Sequence, residues 1–342
     1  MNAPARYAAL ALFLLATTSA AVAQEKVLNI YSSRHYQTDE ALYSGFTAQT
    51  GIKINRIEAA EDPLIERIRN EGEKSPADVL ITVDAGRLWR AEQLGLFQPV
   101  KTPTLDSRIP ANFREPNGMW YGFSMRARVI AYDKARVKPE QIQTYATLAD
   151  PKWAGKVCVR SSSHIYNLSL LSAMIETRGE AKATEWAKGV KANLAREPKG
   201  GDTDQIKGVA AGECELALVN HYYYARLVRS TKTDEQAIAE KVGVVFPNAN
   251  EGGTHVNISG AGVLKHAPNR DAAIKFLEYL AGDSAQQYFA DGNNEWPVVP
   301  SVKIANPALT SFGLLKYDAV NVGALGKNQP LAQKIYDRVG WK

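Results

Sequence analysis

From Lys26 onward, short apolar runs alternate with stretches whose apolar residues recur every three to four positions. That alternation is the pattern of strands joined by amphipathic helices. VLNIYSS reads as a strand, TDEALYSGFTAQTG as a helix closed at Gly51, and IKINRIE as the next strand. DPLIERIRNEG is then helical with Pro63 in its first turn, and ADVLITV leads into the helix GRLWRAEQLG. Three such units in a row predict an α/β lobe, a doubly wound sheet with helices on both faces. The pattern restarts after Pro151 with GKVCVRSS, the helices YNLSLLSAMIETRG, AKATEWAKGVKAN and TDQIKGVAAG, the strand CELALVN, the helix HYYYARLVRS and the closing strand VGVVFPN. Two long β-like runs carry no helix: WYGFSMRARVIAYDK between the sets and THVNISGAGVLKHA after them. They predict a two-strand hinge between two lobes. The expected lobes are 24–126 with 254–300, and 127–253 with 301–342. SGAG within the second run lacks dinucleotide-binding spacing and is expected to let hinge backbones approach closely.

The first residues change the setting. Arg6, an apolar run from Tyr7 to Ala16 and the small-residue stretch Ala21-Val22-Ala23 predict a secretory signal peptide over 1–23. The run is too short to span a bilayer. The formal charge of +5, from 41 basic and 36 acidic residues, is scattered. Even RARVIAYDKARVK is interrupted by apolar residues and Asp133, so it reads as a solvated basic surface, and no nucleic-acid footprint is indicated. The two cysteines, Cys158 and Cys214, each stand at the start of a strand pattern. In an exported chain such a pair is expected to be bridged. Neither has zinc-ligand neighbours.

Candidate chemistry gathers where strands end. Ligands in open α/β sheets bind beyond the carboxyl ends of strands. His35 and Tyr36 follow the first strand, Tyr166 follows KVCVRSSSHI, and Tyr222, Tyr223 and Tyr224 follow CELALVN. Three consecutive helical residues sweep about 200° and cannot share one core. Tyrosines at three strand exits, from both lobes, therefore point to a shared site. Phenols are neutral at pH 7 unless a hard, highly charged cation favours phenolate, and Fe(III) suits such oxygen donors. Stacking on a sugar or caging of a cationic amine by the ring faces is the other chemistry open at this point. No GxSxG, HExxH, phosphate-binding loop or paired-carboxylate signature indicates an enzyme.

Together, LNIYSSRHYQTDEAL, TGIKINRIE, SPADVLITVDAGRLWRAEQLGLF, WYGFSMRARVIAYDK, LADPKWAGKVCVRSSSHIYNLSLL, GECELALVNHYYYARL and NNEWPVVPS resemble the periplasmic ferric iron-binding proteins of bacterial iron ABC transporters. These are transferrin-like members of the two-lobed type 2 solute-binding fold. The resemblance implies a monomeric clamp that closes on Fe(III) in the periplasm and delivers it to an inner-membrane ABC permease. It implies ligands at Tyr36, Tyr166, Tyr222 and Tyr223, with His35 alongside, in the tyrosine-rich branch of the family. In the family's other branch an acidic ligand follows the third strand; here that stretch reads TVDAGRLW, and Asp84 is expected to cap the following helix instead of binding. Arg126 and Arg226, with Arg34, are candidates to offset the phenolates; Arg226 lies three and four residues beyond Tyr223 and Tyr222, on the same helical face. His221 is expected to be structural, His164, His255 and His266 to be surface or loop residues, and Tyr224 to pack outside the ligand pair.

Overall fold

The structure is a computed structural model that describes residues 26–34, 36 and 38–342. The expected signal peptide and His35 lie outside the described residues. The chain runs β1 (Val27–Ser32), α1 (Asp39–Thr50), β2 (Lys53–Glu58), α2 (Glu61–Glu71), β3 (Val79–Val83), α3 (Ala85–Gln93), α4 (Pro103–Arg108) and β4 (Tyr121–Asp133). It continues through β5 (Val157–Cys158), α5 (Ile165–Ala192), α6 (Asp202–Ala210), β6 (Leu216–Asn220), α7 (His221–Val228), α8 (Thr233–Lys241) and β7 (Val242–Val245). It ends with β8 (Val256–Val263), α9 (Arg270–Leu280), α10 (Asp283–Asn293), β9 (Trp296–Pro297), α11 (Pro307–Ser311), α12 (Gly323–Lys327) and α13 (Gln329–Val339).

The strands form one curled sheet in the order β2-β1-β3-β8-β4-β6-β5, with β7 and β9 also paired to β4. β1 is parallel to β2 and β3, as βα crossovers require. β4 is the exception that organises the molecule. Its first half, Tyr121–Ala127, pairs antiparallel with β8, whereas Arg128–Tyr132 pairs with β6 and Ile130–Asp133 with β7. All of its residues except Tyr132 are buried, which explains the unbroken apolar run without helical period. The second crossing enters β8 beside the middle of β4, where the Arg128 amide donates to the His255 carbonyl. Here the glycines of SGAG are required: a Cβ at Gly260 would lie 2.5 Å from the Tyr121 carbonyl oxygen, and one at Gly262 2.5 Å from that of Met119.

Two apolar cores pack the sheet: one runs from β1–β3 through to Cys158, Val209 and Val219 at the far end, and the second lies on the opposite face of that end. In the first, Phe46 of α1 meets Phe276 and Tyr279 of α9 at 5.1 and 5.5 Å between ring centroids. Burying a Phe side chain contributes about 1.5–3 kcal/mol, which holds α1 against α9. The second core centres on α5, α13, Trp186 and Trp341. α5 breaks at Gly179, where φ is +82°, so the two helices read from the sequence abut at a kink. α12 packs on both α3 and α5. Cys158 and Cys214 are bonded, with 5.8 Å between their Cα atoms.

Candidate metal centre

Three chain reversals build the site. After β1 the chain passes Arg34 and Tyr36 before the Tyr36 carbonyl accepts from the amide of Asp39, which opens α1. Tyr166 is the second residue of α5; His164 caps that helix by accepting the Tyr166 amide on Nδ1. Tyr222 and Tyr223 are the second and third residues of α7, which the extended Asn220 precedes. Tyr166, Tyr222 and Tyr223 thus occupy first helical turns, where the helix dipole favours negative charge.

The phenols converge. The hydroxyls of Tyr166 and Tyr222 are 3.1 Å apart. The rings of Tyr222 and Tyr223 stack at 4.2 Å, and Tyr36 meets Tyr222 edge-on at 6.2 Å. Tyr224 turns away to donate to the Val242 carbonyl, as expected for the third member of the run. Burial, and then the neighbouring phenols Tyr166, Tyr36 and Tyr223, push the Tyr222 hydroxyl well above its ordinary pKa. Burial likewise raises Tyr36 and Tyr223. Without a cation these groups are neutral; a hard trivalent ion at their oxygens reverses that preference and expels the protons.

Charge around the cluster is arranged in depth. Tyr36 donates to Glu295 Oε1 at 3.4 Å. Glu295 is fully buried, which alone would raise its pKa, but Arg34 and Arg126 outweigh burial and hold it below the usual range. Arg34 binds Asp39 through Nε and Nη2 at 2.7 and 3.1 Å and Glu295 through Nη1 at 3.2 Å. Arg126 Nη2 lies 3.2 Å from Glu295 and also contacts Ser259. Its Nε and Nη1 are buried without a hydrogen-bond partner, with the guanidinium 5.8 Å from the Tyr222 ring centroid. Such donors fit a site whose neighbours become anionic. Arg226, exposed, sits 5.9 and 5.7 Å from the ring centroids of Tyr222 and Tyr223.

Arg128 holds the tyrosine-bearing helices together. It binds Asn167 in α5 at 2.8 Å, Asn220 before α7 at 3.1 Å and Asp202 in α6 at 2.7 Å. Asp202 in turn accepts the Asn220 amide at 2.7 Å. The reading of RARVIAYDKARVK as a solvated surface is therefore corrected for Arg126 and Arg128, which strand burial carries inside. Glu295, Arg128 and Asp202 were not singled out from the sequence. A charged residue alternating within an otherwise buried strand was the available signal for Arg128. NNEW before a Trp-Pro strand gave none for Glu295.

The histidines divide. His221 is buried, accepts the Ala127 amide on Nδ1 and meets the Asn294 carbonyl at 2.7 Å through Nε2; burial lowers its pKa to about 3. His255 lies in the loop before β8, as the surface-or-loop expectation allows, and is buried beside Asp318. His164 is half-buried against Tyr166, and His266 is exposed. Asp84 caps α3 by accepting the Gly86 amide at 2.9 Å.

Two openings flank the tyrosines. One, of about 510 Å³, is lined by Ser33, Arg34, Arg87, Arg160, Tyr166 and Tyr223; the other, of about 330 Å³, by Tyr36, Thr38, Tyr223, Arg226, Asn293 and Asn294. Tyr223 lines both. A larger groove, about 710 Å³, lies between α1 and β2 and includes none of these tyrosines.

Residues 74–321 match the profile of a family described as bacterial extracellular solute-binding protein. The chain belongs to that family. This solute-binding protein is 54% identical over 324 residues to iron uptake protein A2 of a Synechocystis strain, covering 94% of this chain and 92% of the relative. Its structure is similar to that of the Trichodesmium protein IdiA (FutA) in complex with iron and citrate ligands, with a TM-score of 0.89, 56% identity, and coverage of 92% of this chain and 100% of that one. A ferric binding protein from Campylobacter jejuni gives a TM-score of 0.87 at 39% identity, with 92% and 100% covered. The fold of this solute-binding protein is the two-lobed type 2 architecture expected from the sequence. Among the described residues, no helix is long and apolar enough to cross a membrane.

Proposed function

We propose that this solute-binding protein captures Fe(III) between its lobes through the phenolates of Tyr36, Tyr166, Tyr222 and Tyr223, with His35 as a further ligand. It is exported by the segment 1–23, works in the periplasm as a monomeric carrier rather than a catalyst, and hands its cargo to an inner-membrane ABC permease. One lobe comprises 24–126 with 254–300 and the other 127–253 with 301–342, which sets Tyr36 against the remaining three ligands. The observation that carries this reading is the 3.1 Å approach of the Tyr166 and Tyr222 hydroxyls beside Tyr223 and Tyr36. An aromatic box uses ring faces and has no need for hydroxyls to meet.

Four phenolates around Fe(III) leave one net negative charge, costly to bury alone. Asp39 and Glu295 offset Arg34 and Arg126, whereas Arg128 and Arg160 share Asp202, so Arg160, 5.3 Å from the Tyr166 ring centroid, and Arg226 at the rim supply the positive charge. Titration with ferric citrate tests the reading: iron-phenolate charge transfer is expected to colour the protein, and the colour is expected to vanish when Tyr222 and Tyr223 are both changed to Phe. A colourless wild-type protein that retains no iron overturns it.

A further inference from the structure

Asp84 follows β3 with φ +88°, a left-handed-side value that only Asn248 and Asn294 share among the described non-glycine residues. Its carboxylate is buried and fully engaged. Oδ1 caps Gly86, Oδ2 accepts from the Asn257 amide group at 2.7 Å in the hinge strand β8, and both oxygens face the Ser169 hydroxyl at 2.8 and 2.9 Å. Ser169 belongs to α5, in the opposite half of the molecule, three residues beyond Tyr166 and so on the same helical face. Gln329, at the start of α13, donates to the Ser169 hydroxyl at 3.4 Å, and a Cβ at Gly86 would collide with the Gln329 side chain. The Asp84 turn is therefore shaped to receive α5 and α13, and α5 moves as one body with Tyr166.

We infer that the Asp84–Ser169 contact is a closure latch: it forms when the lobes meet, holds α5 in the position from which Tyr166 reaches the metal, and sets how long iron is retained. The inference rests on the iron-carrier reading. Both residues lie outside the ligand set, so they act by positioning. A hydroxyl held by a buried carboxylate corresponds to about a tenfold or larger change in an equilibrium constant.

Ser169→Ala leaves the Asp84 cap on Gly86 in place and is the primary test. It is expected to release iron to a competing chelator about tenfold faster, with the charge-transfer band unchanged in position because the ligands are unchanged. Asp84→Asn is expected to act in the same direction, and the double variant to be no faster than the faster single one, since both remove one contact. In iron-free protein carrying nitroxide labels at the exposed positions Glu73→Cys and Lys182→Cys, Ser169→Ala is expected to shift interlobe distances toward the longer population. Release within about twofold of wild type, multiplying effects in the double variant, or unaltered interlobe distances each overturn the latch. If wild-type protein takes up no ferric iron, the carrier reading falls, and the label distances alone decide the latch.

Discussion

Glu295 and Arg126 face each other at 3.2 Å with both side chains sealed from solvent, and Arg34 closes on the same carboxylate from the other side. One acidic group therefore stabilises two buried cations. Its replacement by Gln is expected to cost about 3–5 kcal/mol of apo-protein stability, the usual penalty for stranding a buried charge. Urea unfolding at neutral pH measures it, and a loss below about 1 kcal/mol would contradict the role given to Glu295.

Tyr166 and Tyr222 share one short contact, whereas Tyr224 points to the Val242 carbonyl. On the proposed ligation, changing either of the first two to Phe is expected to weaken ferric binding by more than about a hundredfold, because losing a ligand costs more than losing a group that orients one. Tyr224→Phe is expected to leave both affinity and visible absorption near wild type. Equal effects at all three positions, measured by absorption titration, would argue for ring faces rather than hydroxyls as the binding groups.

Acid is expected to weaken iron binding. Burial raises the pKa of Tyr36, Tyr222 and Tyr223, so the apo protein holds these protons and must release them when Fe(III) binds. Each fall in pH therefore favours the iron-free form. Competition titrations at stepped pH, corrected for the chelator, are expected to show falling affinity and proton release on loading; a pH-independent affinity would be inconsistent with phenolate ligation.

Alkali is expected to act on the fold itself. Tyr43 and Tyr121, both outside the site, are pushed up to about 12 by burial. The unfolded value is about 10, so their neutral state stabilises the fold fully below that pH. That contribution is lost as pH rises through the folded value, because the unfolded chain ionises first. The melting temperature is expected to fall steeply above about pH 10, and less steeply in Tyr43→Phe; parallel curves for the two proteins would remove Tyr43 as a cause.

Much of this was readable along the chain, for identifiable reasons. Strand and helix periods located β1 to β3 with their helices, and the restart after Pro151 located β6, α7 and β7. Tyrosines at strand exits marked the cluster because strand ends are where open sheets leave room. The helices α9 to α13 were not delineated; they cover surfaces built by distant segments, and α12 bridges α3 and α5 by contacts that no local period encodes. Charged side chains failed for the same reason. Arg126 and Arg128 look solvated in sequence because their partners Glu295, Asp202 and Asn220 lie dozens of residues away.

The strand that serves both ends of the sheet has a mechanical consequence. β4 carries Arg126 where it pairs with β8 and Arg128 where it joins β6, so the two guanidinium groups are tied to one continuous strand. Tyr36 and Tyr222 are borne on separate elements, the segment after β1 and the first turn of α7. In the proposed iron carrier, that strand fixes the spacing of the two buried cations, while the phenols that close around the ion come from other parts of the chain.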